Sequence, residues 1–414
     1  MISWLPIIIL GLALVVGWYS PRTWVWLTAL LLPAYVIKFF IGPLPTNLLE
    51  LILWGGFVGW FFHQPKINLQ LLWLHYRSIW WQLLLLVIGL IVGVGIAGDW
   101  RLSLGIVKGW FISPILFSGA LASILGWTAI LEIVPPLVLS TLPISLTALV
   151  QVATGQFVTP DGRASAWFES ANYLSLYLVP ILLLGTITLF EHRGTYSKIL
   201  FWLAAIPGTL AVYFSYSYGG WLGLAAGLFM LGIWYFRTRW QFWLSTVGIV
   251  GLAGVTQISN ERVSQMLNLS VQSSASVRLQ VWATDWLMTQ ERWLTGIGLG
   301  QYPAQYPQFV ARLFPTPLEA GMLHAHNLYF QFIINLGVVG LAGFIGLISY
   351  FFLWLKRCSV GCAASLASAM TAILVHGLVD TPYWKNDLAM TFWIILAIAM
   401  VNSRPLPTSS SPSL

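Results

Sequence analysis

The residues of this 414-residue chain that are best suited to chemistry lie in the segment HAHNLYFQFIINLGVVGLAG, at positions 324–343. His326 and Asn327 stand where a polar stretch gives way to a long apolar run. An imidazole can take a proton from a hydroxyl group near neutral pH, and the free N–H groups of a helix start attract anions. We therefore predict His326 as a general base, with His324 and Asn327 beside it as substrate-binding residues. The alternative is that both histidines cap the helix or lie among lipid headgroups.

Two arginines are candidates for binding an anionic substrate. The guanidinium group is a planar fork that matches the oxygens of a phosphate. Arg278 lies in VRLQVWATDWLMTQERWL (277–294), and Arg163 lies shortly before an apolar run that begins near residue 172. Each has an alternative interpretation, in which Arg278 contacts lipid headgroups or a surface carboxylate and Arg163 anchors the chain at the membrane interface.

Asp380 and Tyr218 are further candidates. Asp380 ends the segment HGLVD and either orients His326 or an arginine, or forms an ion pair with nearby Lys385. Tyr218 stands in the polar tip of a predicted hairpin of two helices. There its hydroxyl group could hold a sugar or a phosphate, or its ring could belong to an interfacial aromatic belt. The sequence leaves both roles open for each residue.

Several motifs that would indicate other chemistries are absent from the sequence. It has no Gly-x-Ser-x-Gly nucleophile elbow, and no His-Glu-x-x-His or Asp-rich motif for a metal. Gly296, Gly298 and Gly300 lack the spacing of a phosphate loop and predict a turn that ends the preceding helix. We therefore expect neither a metal nor a cofactor.

The composition shows what kind of scaffold must position these residues. Only 7% of the residues are charged and 58% are hydrophobic, whereas about 25% are charged in a soluble domain. So few charges cannot cover a soluble globule, and so apolar a chain does not stay disordered. The net charge of +7 comes without a Lys/Arg-rich run, so we predict no nucleic-acid binding. We predict an all-α polytopic membrane protein in a lipid bilayer.

The apolar runs predict about 12–13 transmembrane helices, since one crossing takes about 20 apolar residues. The thirteen runs lie at 4–19, 23–41, 48–62, 79–97, 104–123, 129–150, 172–190, 199–217, 219–236, 241–257, 327–355, 360–378 and 388–402.

The charges of the loops predict the orientation of these helices. Cationic loops are enriched on the cytoplasmic side, which assigns the segments 151–171, 258–325 and 379–387 to the outer side. Residues 277–294 have the period of an amphipathic helix, which we expect to lie on the outer membrane face. The sequence therefore predicts four parts: N-terminal transmembrane helices (1–257), a large extracytoplasmic loop (258–325), C-terminal transmembrane helices (326–402) and a disordered cytoplasmic tail (403–414).

Several of these segments together resemble the O-antigen ligase family, which includes O-antigen polymerases and protein O-oligosaccharyltransferases. The main likeness is His326-Asn327, nine residues, and then Gly337-x-x-Gly340. Weaker likenesses are found in Arg278 and Trp282 followed by Leu294–Gly298, in the triplet Asn172-Tyr173-Leu174, and in the segment 376–380. One departure is the hairpin tip, where Tyr218 replaces the arginine of the family's Ser-Arg-Gly.

The resemblance implies a GT-C-like helical bundle in the bacterial cytoplasmic membrane, with its active site facing the extracytoplasmic side. It implies a metal-independent, inverting transfer of a glycan from undecaprenyl diphosphate to a hydroxyl group of a glycolipid or glycan acceptor. His326 would be the base and Arg278 would stabilise the leaving diphosphate. The residues implied to bind substrate are Arg163, Asn172, Tyr218, His324, Asn327 and Asp380.

Two other functions remain open from the sequence. The same chemistry would make a polysaccharide polymerase if the acceptor were a second lipid-linked glycan. A membrane transporter of a small solute is the alternative from another class, and it should place paired broken helices and charges near the bilayer midplane. Most charges of this chain instead lie at the ends of predicted spans or in the loop 258–325, which favours an enzyme.

Overall fold

The computed structural model describes residues 4–41, 44–159, 162–191, 194–258 and 273–403. Apart from one short antiparallel hairpin, its regular elements are helices. The elements before residue 130 are α1 (Leu5–Tyr19), α2 (Pro21–Leu30), β1 (Lys38–Ile41), β2 (Leu44–Asn47), α3 (Leu48–His63), α4 (Pro65–Tyr76), α5 (Trp80–Gly95), α6 (Trp100–Ile106), a π-helical turn (Val107–Ile112) and α7 (Ser113–Leu125). The later helices are α8 (Ala129–Thr154), α9 (Ala171–Gly185), α10 (Ile187–Phe190), α11 (Thr195–Phe214), α12 (Tyr218–Tyr235), α13 (Trp240–Ile258), α14 (Ser274–Arg292), α15 (Tyr302–Leu313), α16 (Leu328–Leu355), α17 (Val360–His376) and α18 (Asn386–Asn402).

The structure confirms an all-α polytopic membrane protein. Among the described residues, six helical segments are long and apolar enough to cross a membrane, and the bent pair α4–α5 raises this number to seven at most. Four further apolar helices (α1, α3, α17 and α18) have only 15 to 17 residues. The predicted 12–13 spans exceed these six or seven. Of the tail predicted at 403–414, residues 404–414 lie outside the described residues.

The prediction of a span at 23–41 is wrong. The helix α2 ends at Leu30, and a short 3-10 turn (Leu32–Val36) and then β1 follow. Pro33 lies within that turn, and a proline cannot donate the backbone hydrogen bond that a continuing α-helix needs. The loop predicted at 63–78 also differs, because it contains α4, which makes an angle of 95° with α5.

Glycines of the motif that follows His326 let α16 approach its neighbours closely. A Cβ atom on Gly340 or Gly343 would have to share space with packed side chains, and Gly343 lies against the backbone of α5 near Leu86. Gly337 has a φ of 65°, which breaks the regular helix at that point. A Cβ atom there would lie 2.0 Å from the carbonyl oxygen of Leu294. The motif therefore joins α16 both to the bundle and to the end of α14.

The amphipathic helix predicted at 277–294 corresponds to α14, but it does more than lie on a membrane surface. Its inner face contributes Val281 and Met288 to a second hydrophobic cluster, which also contains Tyr306 of α15. Trp286 and Trp293 are 57% and 54% exposed, and they are the residues left for the membrane interface. The helix is thus a fixed wall between the loops and the bundle.

The helix α18 lies at the centre of the main hydrophobic cluster. Its residues from Asp387 to Val401 are all buried. Because α18 starts directly after the loop 377–385, the central helix anchors that loop at its C-terminal end. The long α16 anchors the His326 loop in the same way.

Candidate active site

One cavity of about 570 Å³ collects most of the residues that the sequence singles out. It is lined by segments far apart in the chain, namely the loops that precede α9, α15, α16 and α18. These loops belong to the three segments predicted to share one side of the membrane. The polar lining residues that matter most are Arg163, Glu169, Asn172, His324, His326, Asp380 and Lys385.

Apolar side chains from α6 and the π-helical turn line another part of the cavity. They are Leu102, Ile106 and Trp110. Leu102 is 49% exposed, so the same helix reaches from the cavity to the outside of the helical bundle. The cavity therefore offers an apolar wall beside a polar one, as a lipid with a polar headgroup requires.

The backbone holds His326 in a conformation that is uncommon for residues other than glycine. Its φ is 45°, and such strain is found where the surrounding structure enforces it, often at functional sites. Asn327 caps α16 by accepting hydrogen bonds from the N–H groups of Tyr329 and Phe330, and it donates to the carbonyl of Leu378 at 2.9 Å. The indole of Trp282 donates to the His326 carbonyl at 3.2 Å.

Asn327 therefore stabilises the conformation of the loop. Both ends of its amide are hydrogen-bonded within the protein, and it is not among the residues that line the cavity. This geometry differs from the substrate-binding role that the sequence predicts for Asn327. The reason is that the residue that precedes a helix uses its side chain to satisfy the free N–H groups of the first turn.

Asp380 faces both histidines of the loop. Its Oδ1 atom lies 3.6 Å from Nδ1 of His326 and 3.8 Å from Nε2 of His324. Burial by itself raises the pKa of the Asp380 carboxyl group, but the neighbouring imidazoles outweigh burial and hold that pKa well below its usual range. Burial, and then the charge of His326, lower the pKa of His324 to about 4. We call His324, His326 and Asp380 the acid–base cluster; near neutral pH its carboxyl group is ionised and His324 is neutral.

A chain of hydrogen bonds connects this cluster to Arg163. Nδ2 of Asn172 donates to Oδ2 of Asp380 at 3.1 Å. Nη1 of Arg163 donates to Oδ1 of Asn172 at 3.2 Å. The backbone N–H of Thr381 donates to Oδ1 of Asp380 at 2.9 Å. The carboxylate is thus oriented from two sides, and the amide of Asn172 couples it to a guanidinium group in the same cavity.

Lys385 does not pair with Asp380, so that alternative prediction is wrong. Its Nζ atom lies 2.8 Å from Oε2 of Glu169, and also above the ring of Tyr173. The hydrogen bond and charge of Lys385 lower the pKa of the exposed Glu169 carboxyl group. The sequence suggested no functional role for Lys385 or Glu169, although both stand in loops that contain candidates. Lys385 adds a second cation to the lining of the cavity.

Arg278 and Tyr218 do not line this cavity. Nε of Arg278 donates to the carbonyl of Val379 at 3.0 Å, directly before Asp380. The ring of Tyr218 packs edge-on against Trp221, 5.6 Å away between centroids. A Cβ atom on the next residue, Gly219, would lie 2.8 Å from the imidazole of His376. The hairpin tip thus packs against the end of α17, and Arg278 acts on the loop that holds Asp380.

Comparison with known families adds an independent finding. Residues 199–345 match the family model described as O-antigen ligase. This part of the chain is similar to the O-antigen ligase family. The match runs from α11 into α16 and includes α14, α15 and the His326 loop, whereas Arg163, Asn172, Asp380 and Lys385 lie outside it. A comparison with curated proteins finds no match. The match supports a membrane glycosyltransferase of the ligase or polymerase type.

The acid–base cluster also has the composition of a metal site. One ligand atom from each of its three residues lies within 4.8 Å of the other two. Two imidazoles and a carboxylate suit Zn²⁺, which they bind at about 2.0–2.2 Å. Small movements would bring the three groups to one ion. The cluster can therefore either move a proton or hold a cation, but not both at once, because a bound cation occupies the lone pairs that accept the proton.

Proposed function

We propose that the protein transfers a glycan from undecaprenyl diphosphate to a hydroxyl group of an acceptor glycolipid or glycan, on the extracytoplasmic face of the bacterial cytoplasmic membrane. The observation that carries this proposal is the acid–base cluster, which lies in one cavity with Arg163 and Lys385. An imidazole beside an ionised carboxylate suits proton removal from a hydroxyl group. The cationic groups of Arg163 and of Lys385, which is paired with Glu169, suit a diphosphate.

His326 takes the proton of the acceptor in this mechanism. Its Nδ1 faces Asp380, so a proton on Nδ1 leaves the lone pair of Nε2 for the hydroxyl group. The acceptor oxygen attacks the anomeric carbon while the bond from that carbon to the diphosphate oxygen breaks, and the diphosphate leaves with the bonding electrons. The proton stays on His326 as an imidazolium, which Asp380 stabilises. A single displacement of this kind inverts the anomeric configuration.

Fixed positive charge lowers the barrier for departure of the diphosphate. Arg163 and Lys385 line the cavity and are our candidates for its ligands, and Arg163 compensates for the arginine that the hairpin tip lacks. Arg278 supports the reaction by binding the Val379 carbonyl, which positions the neighbouring Asp380, and its charge lies close enough to disfavour protonation of His324. The apolar wall formed by α6 suits the polyprenyl chain.

The test is transfer by the purified protein in lipid nanodiscs, with an undecaprenyl-diphosphate glycan and candidate acceptors. We expect products that disappear in His326→Ala and Arg278→Ala while the yield and folding of the protein stay unchanged. Matched controls are His63→Ala and Arg239→Ala, since both side chains are exposed and outside the cavity. Wild-type amounts of product from His326→Ala would contradict the proposal.

The same assay decides between a ligase and a polymerase, because the match to the family model supports both. Addition of one glycan block to a different acceptor indicates a ligase. A ladder of products, formed from lipid-linked donor alone, indicates a polymerase. The absence of any transfer by wild-type protein, with solute flux into liposomes instead, would overturn both.

A further inference from the structure

We propose a second binding site in the protein, a groove that holds the oligosaccharide chain of the lipid-linked donor beyond the sugar that reacts. The groove has a volume of about 420 Å³ and lies between the end of α14 and the outer face of α15. Its polar and aromatic lining consists of Glu291, Arg292, Gln305, Gln308, Phe309 and Arg312. We call this the outer groove. The inference rests on the proposed glycan transfer and names where the rest of the glycan binds.

The side chains of the outer groove have the chemistry that recognises sugars. The amides of Gln305 and Gln308 can each donate and accept hydrogen bonds, as can the hydroxyl groups of a saccharide. Neither amide is hydrogen-bonded to another group in the part of the chain that the structure describes. Phe309 is 8% exposed and the Arg312 guanidinium lies over its ring, so the ring contributes to the packing beneath the groove. Hydrogen-bond donors and acceptors thus occur together in one concave site.

The walls of the outer groove are held in place by an ion pair. Both terminal nitrogens of Arg312 bind the two carboxylate oxygens of Glu291, one of them at 3.1 Å. The Arg312 guanidinium also lies 5.2 Å above the ring of Phe309. Because the two side chains of this planar pair are already ordered, they lose little further conformational entropy when a ligand binds. The ion pair, whose side chains are 50% and 38% exposed, connects α14 to α15.

The charge of the outer groove favours a saccharide over a phosphate. Glu291 neutralises Arg312, so Arg292 is the remaining full charge among the groove residues described. A phosphate accepts hydrogen bonds only, and it would be repelled by the carboxylate of Glu291. The hydroxyl groups of a neutral or weakly acidic oligosaccharide both donate and accept hydrogen bonds, and Glu291 repels such a ligand little. A lipid headgroup phosphate is therefore the less suitable occupant.

The outer groove shares its walls with the catalytic cavity. In the loop before α15, Gly296 lines the groove and Gly300 lines the cavity. In α15, Tyr302 lines the cavity and Gln305 and Gln308 line the groove. The helix rises by about 9 Å between residues 302 and 308, which is a short distance for a chain of several sugars. A glycan whose first sugar reacts in the cavity can therefore extend into the outer groove.

The loop that separates the two sites is rigid. Gly296, Gly298 and Gly300 all have positive φ values, of 71°, 102° and 76°. The N–H of Ile297 donates to the carbonyl of Ile334, and the N–H of Leu299 donates to the carbonyl of Gly93, at 2.8 and 2.9 Å. These two hydrogen bonds join the loop to α16 and α5 and so hold the separation between the two sites.

The test compares a donor that carries a long glycan with one that carries a single sugar, both in nanodiscs. We expect the double variant Gln305→Ala/Gln308→Ala to raise KM for the long donor about 25-fold, since each of two lost hydrogen bonds costs roughly a factor of five. KM for the single-sugar donor and kcat for both should stay unchanged. The control is Gln241→Ala, an exposed glutamine on α13.

A direct binding measurement separates this inference from the proposed function. Saturation-transfer NMR with the free glycan released from the donor should show contact with wild-type protein and much weaker contact with the double variant, with or without transfer activity. Equal KM changes for long and short donors would overturn the outer groove. Equal NMR signals from wild type and double variant, or displacement of the glycan by inorganic phosphate, would also overturn it. Failure of wild-type transfer, with glycan contact intact, would instead count against the proposed reaction alone.

Discussion

Replacement of Asp380 by asparagine is the perturbation whose size follows most directly from the geometry. The carboxylate oxygen lies 3.6 Å from Nδ1 of His326. At an effective dielectric constant of about 20, a carboxylate and an imidazolium at that distance attract each other by about 5 kcal/mol. The imidazolium forms only as the hydroxyl proton is transferred, so this attraction acts on the transition state. We expect Asp380→Asn to reduce kcat by about 100- to 1000-fold, allowing for water in the cavity, with little change in KM.

The same variant should change the pH dependence of transfer. The pKa of Asp380 lies well below its usual range, so the carboxyl group stays ionised across the pH range of the assay and does not itself cause an acid limb. Its negative charge favours protonation of His324 and so raises the pKa of that imidazole. A neutral amide removes that effect, so protonation of His324 requires a more acidic solution. The part of the acid limb of the kcat–pH profile that comes from His324 should therefore move to lower pH.

Initial rates of transfer, measured from pH 4 to pH 9 with radiolabelled or fluorescent donor, check both expectations. The matched control is Asp99→Asn, since Asp99 is an exposed residue that caps α6 and asparagine caps a helix equally well. A kcat for Asp380→Asn within threefold of the wild-type value would refute the reasoning. An acid limb that moved to higher pH would refute the assigned direction of the charge effect.

Three further predictions follow from the structure. Trp282→Phe removes the hydrogen bond to the His326 carbonyl, and it should lower kcat about tenfold in transfer assays without changing the melting temperature by more than a few degrees. Gly337→Ala places a Cβ atom 2.0 Å from the Leu294 carbonyl oxygen and should destabilise the protein by about 3 kcal/mol or more in thermal unfolding, whereas Gly95→Ala, which meets no atom within 4 Å, should not. Zn²⁺ at micromolar concentration should inhibit transfer by binding the acid–base cluster, and removal of divalent ions by EDTA should leave the activity of the untreated protein unchanged; loss of activity in EDTA would contradict a metal-independent reaction.

Helices were predictable from the sequence where an apolar run was long and bounded by polar residues. The run 327–355 corresponds to α16, and 172–190 corresponds to α9 and α10. The run 23–41 failed because its composition is apolar but its backbone is interrupted by Pro33. Hydropathy reports which solvent a segment prefers, and it does not report whether the segment can complete its backbone hydrogen bonds.

The candidate site was predictable in its residues and less so in its contacts. His326 and Asp380 were predicted because ionisable groups are scarce in this chain, so each one is a candidate functional residue. The pairing of Lys385 with Glu169 was missed, since the two residues are 216 positions apart and meet only when α9 packs beside α18. The anchor of Arg278 on a backbone carbonyl was missed for the same reason, because a carbonyl partner leaves no trace in the sequence.

The central claim is that His326 removes the proton of the acceptor, and chemical rescue tests it most directly. The positive φ of His326 makes glycine the replacement that keeps the loop without strain. We predict that His326→Gly lowers kcat by about 100-fold or more, and that added imidazole restores part of the activity with a dependence on the concentration of the neutral base. Transfer by His326→Gly at the wild-type rate without imidazole would contradict the account.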